Sequence, residues 1–424
     1  MSTEVTKPPI LDETGHLIFD ALARQNLLLT QMITTQGTAT PVSTLNEIHE
    51  IVRAGEAQNV FSIGDQINLN YNDGTNDYVL PWDIVHFEDV ILEDGEIVPG
   101  MYIQSHYAMQ ACQFDQNEAF YVVPAGGLAA GTYYITMGNS WGTNVVANKS
   151  YQFTLTESYA EGDLLQLGTA SDEIGALPDK APSLWRVRTY KASGSTPASM
   201  ASSATEILTL SEGTTGTSLG TLSSSTAYGT SGLNNMQRSA YGYNRWSQSA
   251  IRQWLNSSAA AEGWWTAKNP YDRRPTQLAN MRGFMAGFDE AFLNIIKPVK
   301  VVTALNTASD SSIGTSEATY DFFFLASLEQ EYIVPQLSDV EGSYWGYWKR
   351  RLGLSSPQGT GTANANANHI RYGYDAKTTA QHCRLRSANR VYASSAWYVS
   401  TLGTATYGYY ATPSYRNAPA CVIC

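Results

Sequence analysis

Charge is scarce in this sequence: Asp, Glu, Lys and Arg together make up 15% of 424 residues. The balance that exists is acidic, with a formal net charge of −12, and that excludes the basic face a phosphate backbone requires. Nucleic acid is therefore not an expected partner. Apolar runs of about 18 residues are also missing, so no membrane-spanning helix is expected. The N-terminal residues Met1-Ser-Thr-Glu-Val-Thr-Lys7 have no charged region leading into an apolar core, and no secretory signal is expected. Only four cysteines occur, Cys112, Cys383, Cys421 and Cys424. They form no second pair to match the Cys421-x-x-Cys424 spacing, which argues against zinc. Buried free thiols are the expected state.

What is present is aromatic and small-polar: 26 Tyr, 10 Trp and 34 Gly, with much Ser and Thr. Such a composition favours an α+β, β-rich and loop-rich chain of two to three domains over a helical one. Residues 14–33 carry Ile18, Leu22, Leu29 and Ile33 near heptad spacing, which predicts a helix with a wide apolar stripe. That stripe needs cover from its own domain or from copies of itself, and self-association is the expectation. A second helix is predicted from Ser43 as N-cap to Gly55 as its stop, with Leu45, Ile48, Ile51 and Val52 on one face. Short strands then follow between residues 61 and 155, separated by signals such as Asn72-Asp73-Gly74 and Gly126-Gly127. They predict a small β-sandwich or barrel. The expected division is 1–58 as an N-terminal helical segment for oligomerisation and attachment, 59–160 as the small β domain, and 161–424 as the ligand-binding domain. Within the last, 192–235 is a Ser/Thr/Gly-rich transition with too few large apolar groups to bury much by itself.

The compact C-terminal half holds an ordered set of fragments: Ser249-Ala-Ile-Arg-Gln-Trp-Leu-Asn-Ser-Ser258, Gly283-Phe-Met-Ala-Gly-Phe-Asp289 and Phe323-Phe-Leu-Ala-Ser327. Arg384-Leu-Arg-Ser387 and Ala418-Pro-Ala-Cys-Val-Ile423 complete it. In this order they resemble an uncharacterised domain family of tail-associated proteins from phages that infect gut bacteria. Its C-terminal half is similar to the C-type-lectin-like fold of the formylglycine-generating-enzyme type. The resemblance covers about 239–424 and extends more loosely to the N-terminal helix and Ile51-Val-Arg-Ala-Gly55.

The resemblance implies a virion receptor-binding protein, an adhesin for a protein or glycan on the host cell surface. It further implies attachment to other virion proteins through the N-terminal segment, and a retroelement that diversifies the C-terminal segment while the fold stays constant. With the expected N-terminal bundle, a homotrimer follows, and three linked weak faces gain avidity. The alternative is a structural tail or capsid decoration protein with no host ligand.

The composition supports a binding face by itself, because Tyr offers large contact area with few rotors to freeze and Ser, Gly and Asn adapt their hydrogen bonds. The candidate contact residues are Tyr372, Tyr374, Asn389, Arg390, Tyr392, Ser394, Thr404, Thr406, Tyr407, Tyr409, Tyr410, Ser414, Tyr415, Arg416 and Asn417. Arg384 and Arg386 are expected to support the scaffold, and Trp397 and Tyr398 to lie in the core.

Catalysis is not expected. Cys383, Cys421 and Cys424 are not placed for paired-thiol chemistry, and no phosphate loop or His-Glu-x-x-His is present. His369 and His382 stand without a carboxylate motif, and Asp289-Glu290 fits a helix start. Asp375 is the only carboxylate after Glu341, which leaves a calcium-dependent lectin site in that segment without ligands. No cofactor or metal is expected.

Overall fold

The computed structural model describes residues 44–140, 146–168, 185–191, 206–223, 233–408 and 410–424. The helix expected over 14–33, and with it the expected trimerising bundle, lies outside these residues. The second helix is there as Leu45–Arg53. Its N-cap is Thr44, which closes a reciprocal capping box with Glu47, whereas the expected cap Ser43 lies outside the described residues. Ile48, Ile51 and Val52 are buried, and His49 Nε2 lies 2.9 Å from the Cys424 carbonyl. This helix is thus covered by its own chain.

The large core is built around the last strand. Its sheet runs in the order Gln66–Asn72, Asp77–Ile91, Ile97–Ser105, Pro419–Ile423, Phe323–Leu325, antiparallel throughout. Ala420 faces Gln104 and Cys421 faces both Ile103 and Phe323, so the apolar terminal segment is a central strand with every residue buried. Gly100 permits the close packing, since a Cβ there would lie 2.8 Å from the Glu88 carbonyl and 2.9 Å from Val422. Helix Ala250–Leu255, capped by Ser249, buries Ile251, Trp254 and Leu255 against the same core. All four cysteines are free and buried. Burial pushes the Cys112 and Cys383 thiols up to about 12.

A second core gathers residues 120–240, including Phe120, Ile135, Phe153, Leu165, Val187, Leu222 and Met236. Two open four-stranded sheets share it. One is ordered Glu206–Thr209, Arg186–Tyr190, Leu164–Gly168, Tyr121–Val122. The other is ordered Ser211–Glu212, Ser150–Leu155, Gly131–Met137, Thr217–Leu222, with the last pair parallel.

The boundaries expected at 59 and 160 therefore do not coincide with the cores. Strands 66–105 hydrogen-bond to the C-terminal strand, and the small β unit begins near Phe120 and closes with segments beyond 206. The physical reason is that the third of these strands, Ile97–Ser105, takes its next hydrogen-bonding partner, Pro419–Ile423, from more than 300 residues away.

A further sheet carries the C-terminal loops, in the order Ala405–Thr406, Ala396–Val399, Cys383–Ala388, Ser414–Asn417, Cys112–Gln113. Cys383–Ala388 is buried at all six positions. Arg386 is its anchor, donating to the Leu325 carbonyl at 2.8 Å, to the Glu341 carbonyl at 2.5 Å and to the Gln330 side chain. Arg384 donates to the carbonyls of Tyr410 and Pro413, and burial lowers its guanidinium to about 10. Both arginines hold backbone in place, as a scaffold role requires.

Candidate functional site: an aromatic ridge on a pinned loop

The buried strand Cys383–Ala388 delivers the chain to Asn389, where it must turn. Asn389 is 1% exposed, and its Oδ1 accepts from the amides of Val391 at 2.9 Å and Tyr392 at 3.0 Å. That is the local turn chemistry Asn favours. The Asn389 amide closes the loop on the Ser395 carbonyl at 2.8 Å.

Asn244, fully buried, reaches in from the segment after helix Met236–Tyr241. Its Nδ2 lies 3.1, 2.7 and 2.8 Å from the carbonyls of Asn389, Tyr392 and Ser395. Two hydrogens are shared among three acceptors, which gathers the loop around one side chain. The Asn244 amide donates to the Ala393 carbonyl at 2.9 Å, and the Ala393 amide donates to Gln237 Oε1 at 2.6 Å. On the other flank the Arg390 carbonyl accepts from both the amide and the hydroxyl of Thr307 at 2.7 Å. Arg390 Nη1 donates to the Leu305 carbonyl at 3.1 Å.

What this frame presents is apolar and aromatic. Val391 is 60% exposed, Tyr392 41% and Tyr407 40%. The two tyrosine rings are 6.0 Å apart and 28° from parallel. Trp397, at 2% exposure, meets Tyr407 edge-on at 5.1 Å and forms the floor. Gln336 ties floor to rim, accepting from Trp397 Nε1 at 3.3 Å and from the Arg390 amide at 2.8 Å. Among the described residues neither Tyr392 nor Tyr407 spends its hydroxyl on a protein partner. The ridge rests on Ala405–Thr406, and nearby Gly403, at φ 72°, has to be glycine because a Cβ there would sit 1.8 Å from the Asn366 carbonyl. Rigid aromatics with unspent hydroxyls on a pre-shaped loop suit recognition of a surface that offers both apolar faces and hydrogen-bond groups.

The fifteen residues expected at the face divide by burial. Tyr392 and Tyr407 form the ridge, and Arg390 and Thr406 flank it half-buried. Tyr372 and Ser414 are exposed. Tyr410 is half-buried and stacked on Tyr241, with ring centroids 3.6 Å apart. Tyr415, also half-buried, stacks on the buried Tyr398 at 5.9 Å. Arg416 pairs with Asp375 at 2.9 Å.

Five of the fifteen are corrections. Tyr374, Asn389, Ser394, Thr404 and Asn417 are buried, and they shape the loops from inside. Asn417 Nδ2 donates to the Gln110 carbonyl at 2.9 Å, and the Tyr374 hydroxyl donates to Asp73 at 2.9 Å. Tyr409 lies outside the described residues. The residues that sequence reasoning missed are Val391, Asn244 and Gln336. Val391 was legible as an apolar residue between polar ones, but nothing in the sequence ties Asn244 or Gln336 to the loop.

Away from the ridge, one serine hydroxyl lies against an imidazole. Ser343 Oγ lies 3.2 Å from His86 Nε2, and it donates to Glu88 Oε2 at 2.9 Å. Burial holds His86 below its ordinary range. Glu88 sits on the same imidazole nitrogen, at 3.7 Å, and competes for the serine proton. In a nucleophile–base–orienter relay the acid holds the other nitrogen.

Residues 221–423, just under half of the chain, match the model of a family described as a domain of unknown function (DUF6273). No curated protein and no solved structure matches the chain. The matched segment contains the pinned loop, its Asn244 and Gln336 supports and the aromatic ridge.

Proposed function

We propose that this chain is a non-catalytic binding protein whose ridge of Val391, Tyr392 and Tyr407 engages a partner surface. The observation that carries the reading is the contrast between the exposed side chains and the buried network beneath them. Asn244, Asn389, Gln237 and Thr307 hold the backbone, so the ordering cost of presenting two tyrosines is met within the fold. The fragments from Ser249 to Ile423 support a more specific version. In that version a C-type-lectin-like domain acts as a virion adhesin for a protein or glycan on a host cell, with the ridge and its flanks diversified by a retroelement.

Sequencing the gene across one natural population tests both levels. The adhesin reading expects substitutions at Arg390, Val391, Tyr392, Thr406, Tyr407, Ser414 and Tyr415. It expects none at Asn244, Asn389, Ser394, Thr404 or Asn417, whose side chains carry the loop. Uniform invariance, or drift that ignores burial, would remove the diversified adhesin. Binding to cell envelopes that survives the Tyr392→Ala/Tyr407→Ala double variant unchanged would remove the ridge as the contact, and a wild type that binds no envelope would leave a structural virion component.

A further inference from the structure

Where the segment after Cys112 crosses from the large core into the small one, three carboxylates converge. Asp115 and Glu118 come from the crossing itself, and Asp272 comes from the loop after Trp264-Trp265. Each is at most 3% exposed. One oxygen from each lies within 4.8 Å of the others. Glu118 is held hardest, with Arg238 Nε at 2.7 Å, Arg238 Nη2 at 2.8 Å and Asn269 Nδ2 at 3.0 Å. Asp272 accepts from Asn269 at 2.8 Å and from the Lys268 amide at 2.5 Å. Asp115 Oδ1 accepts from the Ala250 amide at 3.3 Å, whereas Asp115 Oδ2 is shut off from solvent and has no hydrogen-bond partner.

A buried carboxylate oxygen with no donor is costly, and a native fold normally supplies it with a partner. The charge of the group is unbalanced in the same sense. Three carboxylates against the Arg238 guanidinium leave a deficit of two positive charges, which is the charge of one divalent cation.

We propose that Asp115, Glu118 and Asp272 form a structural divalent-cation site and that its ion is Ca²⁺. The donors are all hard oxygens, with no imidazole or thiolate among them, which disfavours zinc and copper. Calcium–oxygen distances of about 2.3–2.6 Å allow two ligands across one ion to stand about 5 Å apart, wide enough for the observed spread. Mg²⁺, at about 2.1 Å with strict octahedral demands, fits an irregular protein-only cradle less well. The ion joins the crossing segment to the 268–272 loop and, through Glu118, to helix Met236–Tyr241, which leads to Asn244. It therefore braces the junction from which the pinned loop is supported. Burial and the neighbouring carboxylates push Asp115 and Asp272 above the ordinary carboxylate range, which agrees with a group that lacks a counter-charge.

The test uses the full chain, purified without chelator and then stripped with EGTA. Metal analysis before stripping should find one calcium per chain. Melting after stripping should recover with 1 mM CaCl₂ by about 5 °C or more, as a ligand that binds only the folded state requires. Tb³⁺, whose luminescence the nearby tyrosines sensitise, should bind the stripped wild type and be displaced by Ca²⁺. Asp115→Asn should weaken Ca²⁺ binding at least tenfold, and the wild-type measurements decide the matter if that variant does not fold. The proposal is overturned if the chain carries no metal, melts identically with EGTA and with CaCl₂, and does not bind Tb³⁺. Two protons shared among the three carboxyls would then balance the charge. A response to MgCl₂ with none to CaCl₂ would overturn the choice of ion.

Discussion

Tyr392 and Tyr407 on one side, and Tyr374 and Tyr398 on the other, come from one Tyr-, Ser- and Asn-rich stretch and end in opposite states. The first two are about 40% exposed, while the second two are 5% exposed. The difference lies in what stands behind each ring. Tyr398 sits in the strand Ala396–Val399 between Arg384 and Thr406, with Tyr415 stacked on it. Tyr374 meets Tyr71 and Tyr78 edge-on and donates to Asp73. Tyr392 follows a turn whose backbone groups are consumed by Asn244 and Asn389, so its ring is left for the outside. Composition marks a stretch rich in tyrosine, and tertiary burial decides which of those rings face solvent.

The sharpest break of this comparison is truncation of the buried member. Tyr398→Ala should cost about 3–5 kcal/mol, the range for removing a core aromatic, and a denaturant melt measures it. Asn244→Ala comes next at about 2 kcal/mol, because three carbonyls lose their shared donor in a dry site. Hydrogen exchange should quicken selectively at the amides of 391–393, and a uniform change across the chain would count against the clamp.

Third, acid should loosen the Tyr374 group and spare the ridge. Burial alone would raise Asp73, but hydrogen bonds from the amides of Asn76 and Thr75 and from Tyr374 hold it below the ordinary carboxylate range. A carboxylate with a depressed folded pKa stabilises above its unfolded value, near 3.8, and that contribution is lost as pH falls through the folded value. NMR of residues 73–76 should therefore shift below about pH 4, and Asp73→Asn should abolish the shift. The smallest stability effect belongs to Tyr392→Ala and Tyr407→Ala, each within about 0.5 kcal/mol as for surface positions. Under the binding proposal the same variants should weaken partner binding tenfold or more.

Much of the local structure was readable in advance. Helix Leu45–Arg53, the strands Gly131–Met137 and Ser150–Leu155, and the buried Trp397 and Tyr398 follow from period, caps and composition, and the supporting role of Arg384 and Arg386 from the Arg-Leu-Arg-Ser fragment. The candidate face was legible as a region but not residue by residue. Asn389 and Arg390 look alike in a polar stretch, and only the turn at Asn389 buries one and half-exposes the other. The junction acids were not legible, because Asp115 and Asp272 are more than 150 residues apart and neither stands in a ligand motif.

By itself, then, the sequence determined that this is a β-rich α+β chain with buried thiols, an acidic balance and a tyrosine-rich C-terminal surface. Those properties depend on residue type and near neighbours. Only the tertiary structure decided that the terminal strand sits between Ile97–Ser105 and Phe323–Leu325, that Asn244 gathers the 389–395 loop, and that three acids meet where the cores join. Each of these is a contact between distant segments. It is selected by the free energy of closing the whole core, which no window of the sequence contains.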